Sequence, residues 1–141
     1  MKKYKIGYTQ GTYDLFHVGH LNLLNNAKKQ CEYLIVGVNS DELVMQYKNK
    51  KTHINEQDRA TIVNAIKGVD KVIITNTLDK LEIHKYIKFD AIFIGDDWKG
   101  NERWTKTEEM LKPLGAEVVY LPHTDGISTT ILSQKIEKEG Q

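Results

Sequence analysis

Two histidines three residues apart carry the strongest chemical signal in this chain, in the run Gly11-Thr12-Tyr13-Asp14-Leu15-Phe16-His17-Val18-Gly19-His20. The run follows an apolar segment, Tyr4 to Tyr8, that reads as a strand, and it opens a helical pattern near Val18. A glycine at a strand end lets the backbone turn tightly and approach a phosphate, the part expected of Gly11. The first turn of a helix offers unpaired N–H groups and a positive dipole end to an anion. His17 and His20 reach the same side of that turn, and Gly19 leaves no side chain between them. Two imidazoles at a helix N-terminus suit a phosphoryl transition state, which asks for oriented donors more than for a nucleophile. With His at roughly 2% and Gly at about 7% of residues, a His-x-Gly-His string arises by chance in well under about one chain in a hundred of this length. Two plainer readings compete: a histidine pair that only caps the helix, and a zinc site for which Asp14 is the nearest third ligand.

Other segments bear chemistry less specifically. In Pro122-His123-Thr124-Asp125-Gly126-Ile127-Ser128-Thr129-Thr130, a Gly followed by Ser/Thr at a helix start presents hydroxyls and N–H groups to phosphate oxygens. An ordinary N-cap at Ser128 explains the same residues. Gly95-Asp96-Asp97-Trp98 reads either as a site loop or as a turn with a buried tryptophan. Lys48-Asn49-Lys50-Lys51 reads as a loop ahead of the helix that carries Arg59, and a lysine cluster of this kind is usually a solvated face. Arg103 and Trp104 fit either an acceptor contact or packing. Cys31 reads as a packed thiol at a helix end, and His53 and His84 as surface residues.

The elements that must position these residues alternate along the chain. Unbroken apolar runs at Tyr4–Tyr8, Tyr33–Val38, Val72–Ile74, Ala91–Ile94 and Val118–Leu121 predict strands buried on both faces. Between them, helices are predicted over 18–29, with Leu21, Leu24, Ala27 and Lys28 in register, and over 57–67, with Asn55 as N-cap and Ile62, Val63 and Ile66 on one face. Further helices are expected over 78–87, 102–114 and 128–138. This alternation predicts an α/β fold: one doubly wound, five-stranded parallel sheet in a single domain over 1–141. In such sheets ligands bind beyond the carboxyl ends of the strands, where the strand order reverses.

Composition narrows the classes. The 141 residues hold 20 Lys+Arg against 19 Asp+Glu, a formal net charge of +1, which argues against sequence-independent nucleic-acid binding. A single cysteine excludes an intrachain disulfide and a cysteine metal cluster. The basic N-terminus has no apolar run behind it to make a signal peptide, and no stretch approaches the roughly 18 apolar residues of a membrane span. A cytoplasmic protein without membrane association is expected.

The run GTYDLFHVGHLNLL resembles the HxGH signature of the nucleotidyltransferase superfamily, and it is similar in particular to the glycerol-3-phosphate cytidylyltransferase family. The likeness extends from Ile6 to about Ile136. The tail resembles that family's RTEGISTT motif, with His123 in place of the arginine, and Gly95–Trp98 resembles its GDDW motif. The resemblance implies a Rossmann-like fold and CTP-dependent transfer to a small phosphorylated acceptor. That acceptor is glycerol 3-phosphate or a related phospho-polyol, phospho-amino alcohol or phospho-amino acid, and the product is a CDP-activated compound for a surface polymer. By the same resemblance His17, His20 and Lys48 are catalytic. Gly11, Thr12, Tyr13, Asp14, Gly19, Arg59, Gly95, Asp97, Trp98, Thr124, Gly126, Ile127, Ser128 and Thr129 line the nucleotide, and Lys48, Lys50, Lys67 and His123 meet the acceptor phosphate. Mg²⁺ is expected with CTP, although no dedicated carboxylate cage is visible and Asp14 is the nearest carboxylate. A homodimer is also implied. An adenylyltransferase using ATP and a non-catalytic CTP-binding module are the alternatives, and pyrophosphate release with each nucleotide separates them.

Overall fold

Five apolar runs form one all-parallel sheet in the order β3-β2-β1-β4-β5. The strands are β1 (Tyr4–Gly11), β2 (Cys31–Asn39), β3 (Lys71–Thr75), β4 (Ala91–Gly95) and β5 (Glu117–Leu121). The structure is a computed structural model and describes residues 2–123 and 132–136. Along β2, successive side chains enter different cores. Leu34, Val36 and Val38 join Leu24 and Ala27 of helix α1 (Val18–Gln30) and Val63 of α3 (Glu56–Asn64). Ile35 joins Ile83 of α4 (Lys80–Ile87) and Leu111 of α5 (Glu102–Leu111) on the opposite face. Helices therefore cover both faces, and this is why the strands read as unbroken apolar runs.

Caps set the helix starts. Asn55 accepts the Asp58 N–H at the head of α3, as expected, while Asp79 and Asn101 do the same work for α4 and α5. Four expectations need correction. Lys48 does not lie in a loop but ends a further helix, α2 (Asp41–Lys48), capped by Ser40 and stopped by Asn49 in the left-handed conformation at φ +51°. With only Leu43 and Val44 buried, α2 is too short to show a helical period. Helix α3 ends at Asn64, short of Lys67, and its Ile62 is 39% exposed rather than part of the buried face. Only Lys112–Leu114, a turn of 3-10 helix, follows α5 where 102–114 was expected as one helix. Residues 132–136 are helical, and the remainder of the expected closing helix, Ser128 included, lies outside the described residues.

Strand β1 sits at the point where the order reverses, with β2 on one side and β4 on the other. It pairs with β2 in register from Tyr4–Cys31 to Gly11–Val38. Its pairing with β4 covers only Gly7–Ala91 and Tyr8–Ile92. Past that rung the Thr9 hydroxyl, buried, donates to the Phe93 carbonyl at 2.9 Å. Among the described residues no helix is long and apolar enough to cross a membrane.

Candidate functional site

The carboxyl ends of β1 and β4 border a cavity of about 390 Å³. Gly11, Thr12 and Tyr13 reach it from the end of β1, and His17, Gly19 and His20 from the start of α1. Gly95, Asp97 and Trp98 come from the end of β4, Lys48 from the last turn of α2, and His123 from beyond β5. The sheet thus brings together residues scattered over more than a hundred positions.

The turn from β1 into α1 is tighter than a glycine alone would make it. Two non-glycine residues, Tyr13 (φ +57°) and Leu15 (φ +51°), adopt the left-handed conformation there. Gly11 lines the cavity and has a packing reason as well: a Cβ on it would lie 3.1 Å from the buried ring of Tyr13. The glycine makes room for the phenol, and the phenol holds the turn. Gly95 plays a similar part, since a Cβ there would stand 2.6 Å from Asp97 Oδ1.

His17 is the N-cap of α1, and its Nδ1 accepts the Gly19 N–H at 3.0 Å. His20 Nδ1 accepts the His17 N–H at 3.1 Å, closing a reciprocal capping box. The two rings stack at 3.9 Å between centroids. An imidazole nitrogen that accepts a hydrogen bond carries no proton, so each neutral ring keeps its proton on Nε2. Burial lowers the pKa of His17. Burial, and then the neighbouring His17, push that of His20 down to about 4 against a small opposing pull from Asp14. Near neutral pH the pair is two uncharged rings whose remaining donor is Nε2–H. Capping and a donor role are therefore compatible, since each uses a different ring nitrogen.

Lys50 and Asp14 do not reach this cavity. They line a smaller one of about 280 Å³ beside it, which shares Thr12, Tyr13, His20 and Lys48 with the first. Asp14, expected against the nucleotide or a metal, is buried and accepts hydrogen bonds from the His53 N–H (2.9 Å), the His53 ring (3.1 Å) and the Ile54 N–H (3.0 Å). Burial raises its pKa, but these bonds outweigh burial and hold it below the ordinary carboxylate value. His53 is accordingly no bystander: its Nδ1 meets Asp14 and its Nε2 meets Ser133 Oγ at 3.1 Å. His84 also has a partner, the Phe89 carbonyl at 3.1 Å.

Two expected contacts are not brought to the site. Arg59 is fully buried, where a wall against phosphates would need it open. It donates to the carbonyls of Ile54 (2.8 Å), Thr12 (2.6 Å) and Asn39 (2.7 Å) and to Asp41 Oδ1 (2.6 Å), a framework role. Lys67 is exposed at the other end of the sheet, ahead of the start of β3 and next to Gly68, which packs on Lys28 in the last turn of α1. Thr124, Gly126, Ile127, Ser128 and Thr129 lie outside the described residues. Trp98 is 42% exposed at the cavity, so the buried tryptophan of this region is Trp104.

Some lining residues escaped the sequence. Gln10 and Asn39, the polar ends of β1 and β2, bond to each other at 2.8 Å, and Gln10 also donates to the Thr77 carbonyl. A polar residue closing an apolar strand run was the available signal. Lys80 also lines the cavity, and nothing in the string Leu78-Asp79-Lys80 sets it apart. Among the described residues, Asp96, Asp97 and His123 bring one possible metal-ligand atom each within 4.8 Å of one another at the cavity rim. His123 Nδ1 also contacts Asp96 Oδ1 directly.

Residues 8–135 match the model of a family described as cytidylyltransferase-like. The glycerol-3-phosphate cytidylyltransferase of Bacillus spizizenii is 44% identical over 86% of this chain and 89% of its own length. That of Bacillus subtilis is 38% identical over 91% and 94%. Among solved structures, a lipopolysaccharide core biosynthesis protein from Thermoplasma volcanium superposes with a TM-score of 0.74 at 25% identity, covering 86% of this chain and 99% of that one.

Proposed function

The chain belongs to the cytidylyltransferase-like family, and from that footing we propose that it is a CTP-dependent cytidylyltransferase acting on a small phosphorylated acceptor, glycerol 3-phosphate first among them. An oxygen of the acceptor phosphate attacks the α-phosphorus of CTP, the bond to the β,γ-diphosphate breaks, and pyrophosphate leaves with the electron pair. The acceptor brings its own nucleophile, so the protein's task is positioning and charge stabilisation. The observation that carries this reading is the pair of neutral histidines with Nδ1 occupied and Nε2–H left to donate, set in the cavity at the sheet's reversal point.

His17 and His20 donate to the phosphate oxygens on which charge builds, and the N-terminus of α1 adds its dipole. Lys48 reaches the same cavity as a mobile point charge, with Lys50 beside it to offset the triphosphate. Asp97 and Trp98 line the nucleoside end. The Asp96–Asp97 carboxylates are oxygen donors of the kind magnesium takes, and with His123 they would hold an ion that arrives with CTP and supplies further charge neutralisation. The CDP-activated product suits the building of a surface polymer.

Pyrophosphate release tests the proposal. CTP and ATP are each offered with glycerol 3-phosphate, phosphorylated polyols and phosphorylated amino alcohols. Release with CTP and one of these phosphates is expected. Preference for ATP, or CTP binding with no release from any phosphate, overturns it.

A further inference from the structure

The imidazole of His53 joins the turn after β1 to the helical residues 132–136. Its Nδ1 lies 3.1 Å from Asp14 Oδ2, and its Nε2 lies 3.1 Å from Ser133 Oγ. Asp14 is held below the ordinary carboxylate value and can only accept at neutral pH. The ring proton therefore sits on Nδ1, and the bare Nε2 accepts from the Ser133 hydroxyl. Among the described residues this is the one hydrogen bond that ties 132–136 to the body of the protein. On the other side of the ring the backbone needs no help from it. The His53 and Ile54 N–H groups bond Asp14, the Thr52 hydroxyl bonds Asp41 at 3.0 Å, and the Asn49 N–H bonds the Met45 carbonyl at 3.0 Å. Lys50 and Lys51 thus stand on a short segment pinned at both ends, and what the His53 side chain adds is Ser133. Lys48, Lys50, Lys51, His53 and Ser133 all line the smaller cavity, which shares His20 and Lys48 with the main one.

We infer that His53 is a positioning residue for the nucleotide's triphosphate: oriented by Asp14, it seats Ser133, and with it residues 132–136, in the wall of the cavity that the lysines charge. This rests on the cytidylyltransferase reading and deepens it, by naming what sets affinity for the end of CTP remote from the reacting phosphorus. A triphosphate that meets His20 and Lys48 in the main cavity continues into the smaller one along Lys50. A wall that keeps water from that end lowers the local dielectric, and each lysine–phosphate attraction strengthens. Without the bridge the lysines remain, but they meet the phosphates in open solvent, where such pairs are screened and weak. His53 and Ser133 act through this wall and not on the reacting atoms, so the effect falls on CTP affinity and spares the chemical step.

The test uses the full chain, with CTP and inorganic tripolyphosphate as calorimetric probes and pyrophosphate release for the Michaelis constants. His53→Asn keeps a donor for Asp14 but is too short to reach Ser133, and Ser133→Ala removes the other partner. Each should weaken tripolyphosphate binding and raise KM for CTP about fivefold, the effect of one hydrogen bond. Both kcat and KM for glycerol 3-phosphate should stay within about twofold. The melting temperature should stay near that of the wild type, because the backbone bonds to Asp14 remain. The double variant should lose no more than either single one, since both break the same link. His53→Gln, whose amide oxygen reaches toward the place of Nε2, should recover part of the loss. Unchanged CTP affinity in Ser133→Ala, additive losses in the double variant, or a lower melting temperature with KM unmoved overturns the inference. If the wild type binds tripolyphosphate and Ser133→Ala binds it more weakly, but no acceptor gives pyrophosphate release, the reaction assignment has failed and the positioning role stands.

Discussion

His17 caps its own helix through Nδ1, and the same hydrogen bond fixes the proton on the opposite nitrogen. This division of labour can be separated experimentally. Asn is a strong N-cap and places its oxygen where Nδ1 stands, but it has no counterpart to Nε2–H. His17→Asn should therefore keep the melting temperature of the wild type while kcat for pyrophosphate release falls on the order of 10²–10³-fold. A variant that melts early, or one that turns over normally, would assign the ring to capping alone. His20 supports a pH prediction. Its folded-state pKa, near 4, lies below that of an imidazole in the unfolded chain, about 6.5. The unfolded chain takes up a proton first as pH drops. The stability contributed by the neutral ring is complete above about pH 6.5 and is lost as pH falls toward 4. Urea midpoints at pH 7, 5.5 and 4 should fall less steeply in His20→Asn than in the wild type, and equal slopes would contradict the assignment. The histidine pair was legible in the sequence because its spacing is rare. The role of His53 was not, because its partners Asp14 and Ser133 lie 39 and 80 residues away.

Arg59 shows how one side chain ties several elements. Its guanidinium, from α3, bonds the carbonyl that ends β2, a carbonyl in the β1–α1 turn and the first residue of α2. Arg59→Met should cost about 3–5 kcal/mol of unfolding free energy in a urea titration, since buried carbonyls lose their donors and Asp41 its partner. Loss of activity without loss of stability would return Arg59 to the substrate. From sequence, an arginine near a lysine cluster in a phosphate-binding family reads as one more basic contact. Charge type was visible, but burial depends on where α2 and α3 pack. Helix α2 itself went unseen because eight residues with two buried positions carry no period. The strands were readable to within three residues at either end, since helices cover both faces of the sheet, and most of the ends gained in the structure are polar or glycine positions such as Gln10, Gly11 and Asn39.

In the molecule taken whole, the sheet sorts residues by end. Carboxyl termini of the strands collect the histidines, Lys48, Lys80 and the Asp97 turn, while Lys67 stands at the amino end with Lys28 and Asp70. Lys67→Ala should leave kcat and both KM values within about twofold of wild type, in keeping with an exposed charge remote from the cavity. A tenfold change in either would show that the chain closes in a way this arrangement excludes. The place of the cavity was foreseeable from topology, because β1 is where the strand order turns back. The presence of Lys80 and Arg103 in its lining was not, because the two come together only once α4 and α5 have packed.

The central seam of the sheet, finally, is stitched for only two residues between β1 and β4 before a hydroxyl takes over from the backbone. Those strands belong to opposite halves of the chain, and each half brings one cluster of cations or donors. Thr9 and Phe93, joined by that bond, both line the cavity, so a single peg stands at the point where the fabric divides. Thr9→Val, nearly identical in shape, would remove the donor to that carbonyl at the fork, so the loss should register in CTP affinity as well as in the urea midpoint.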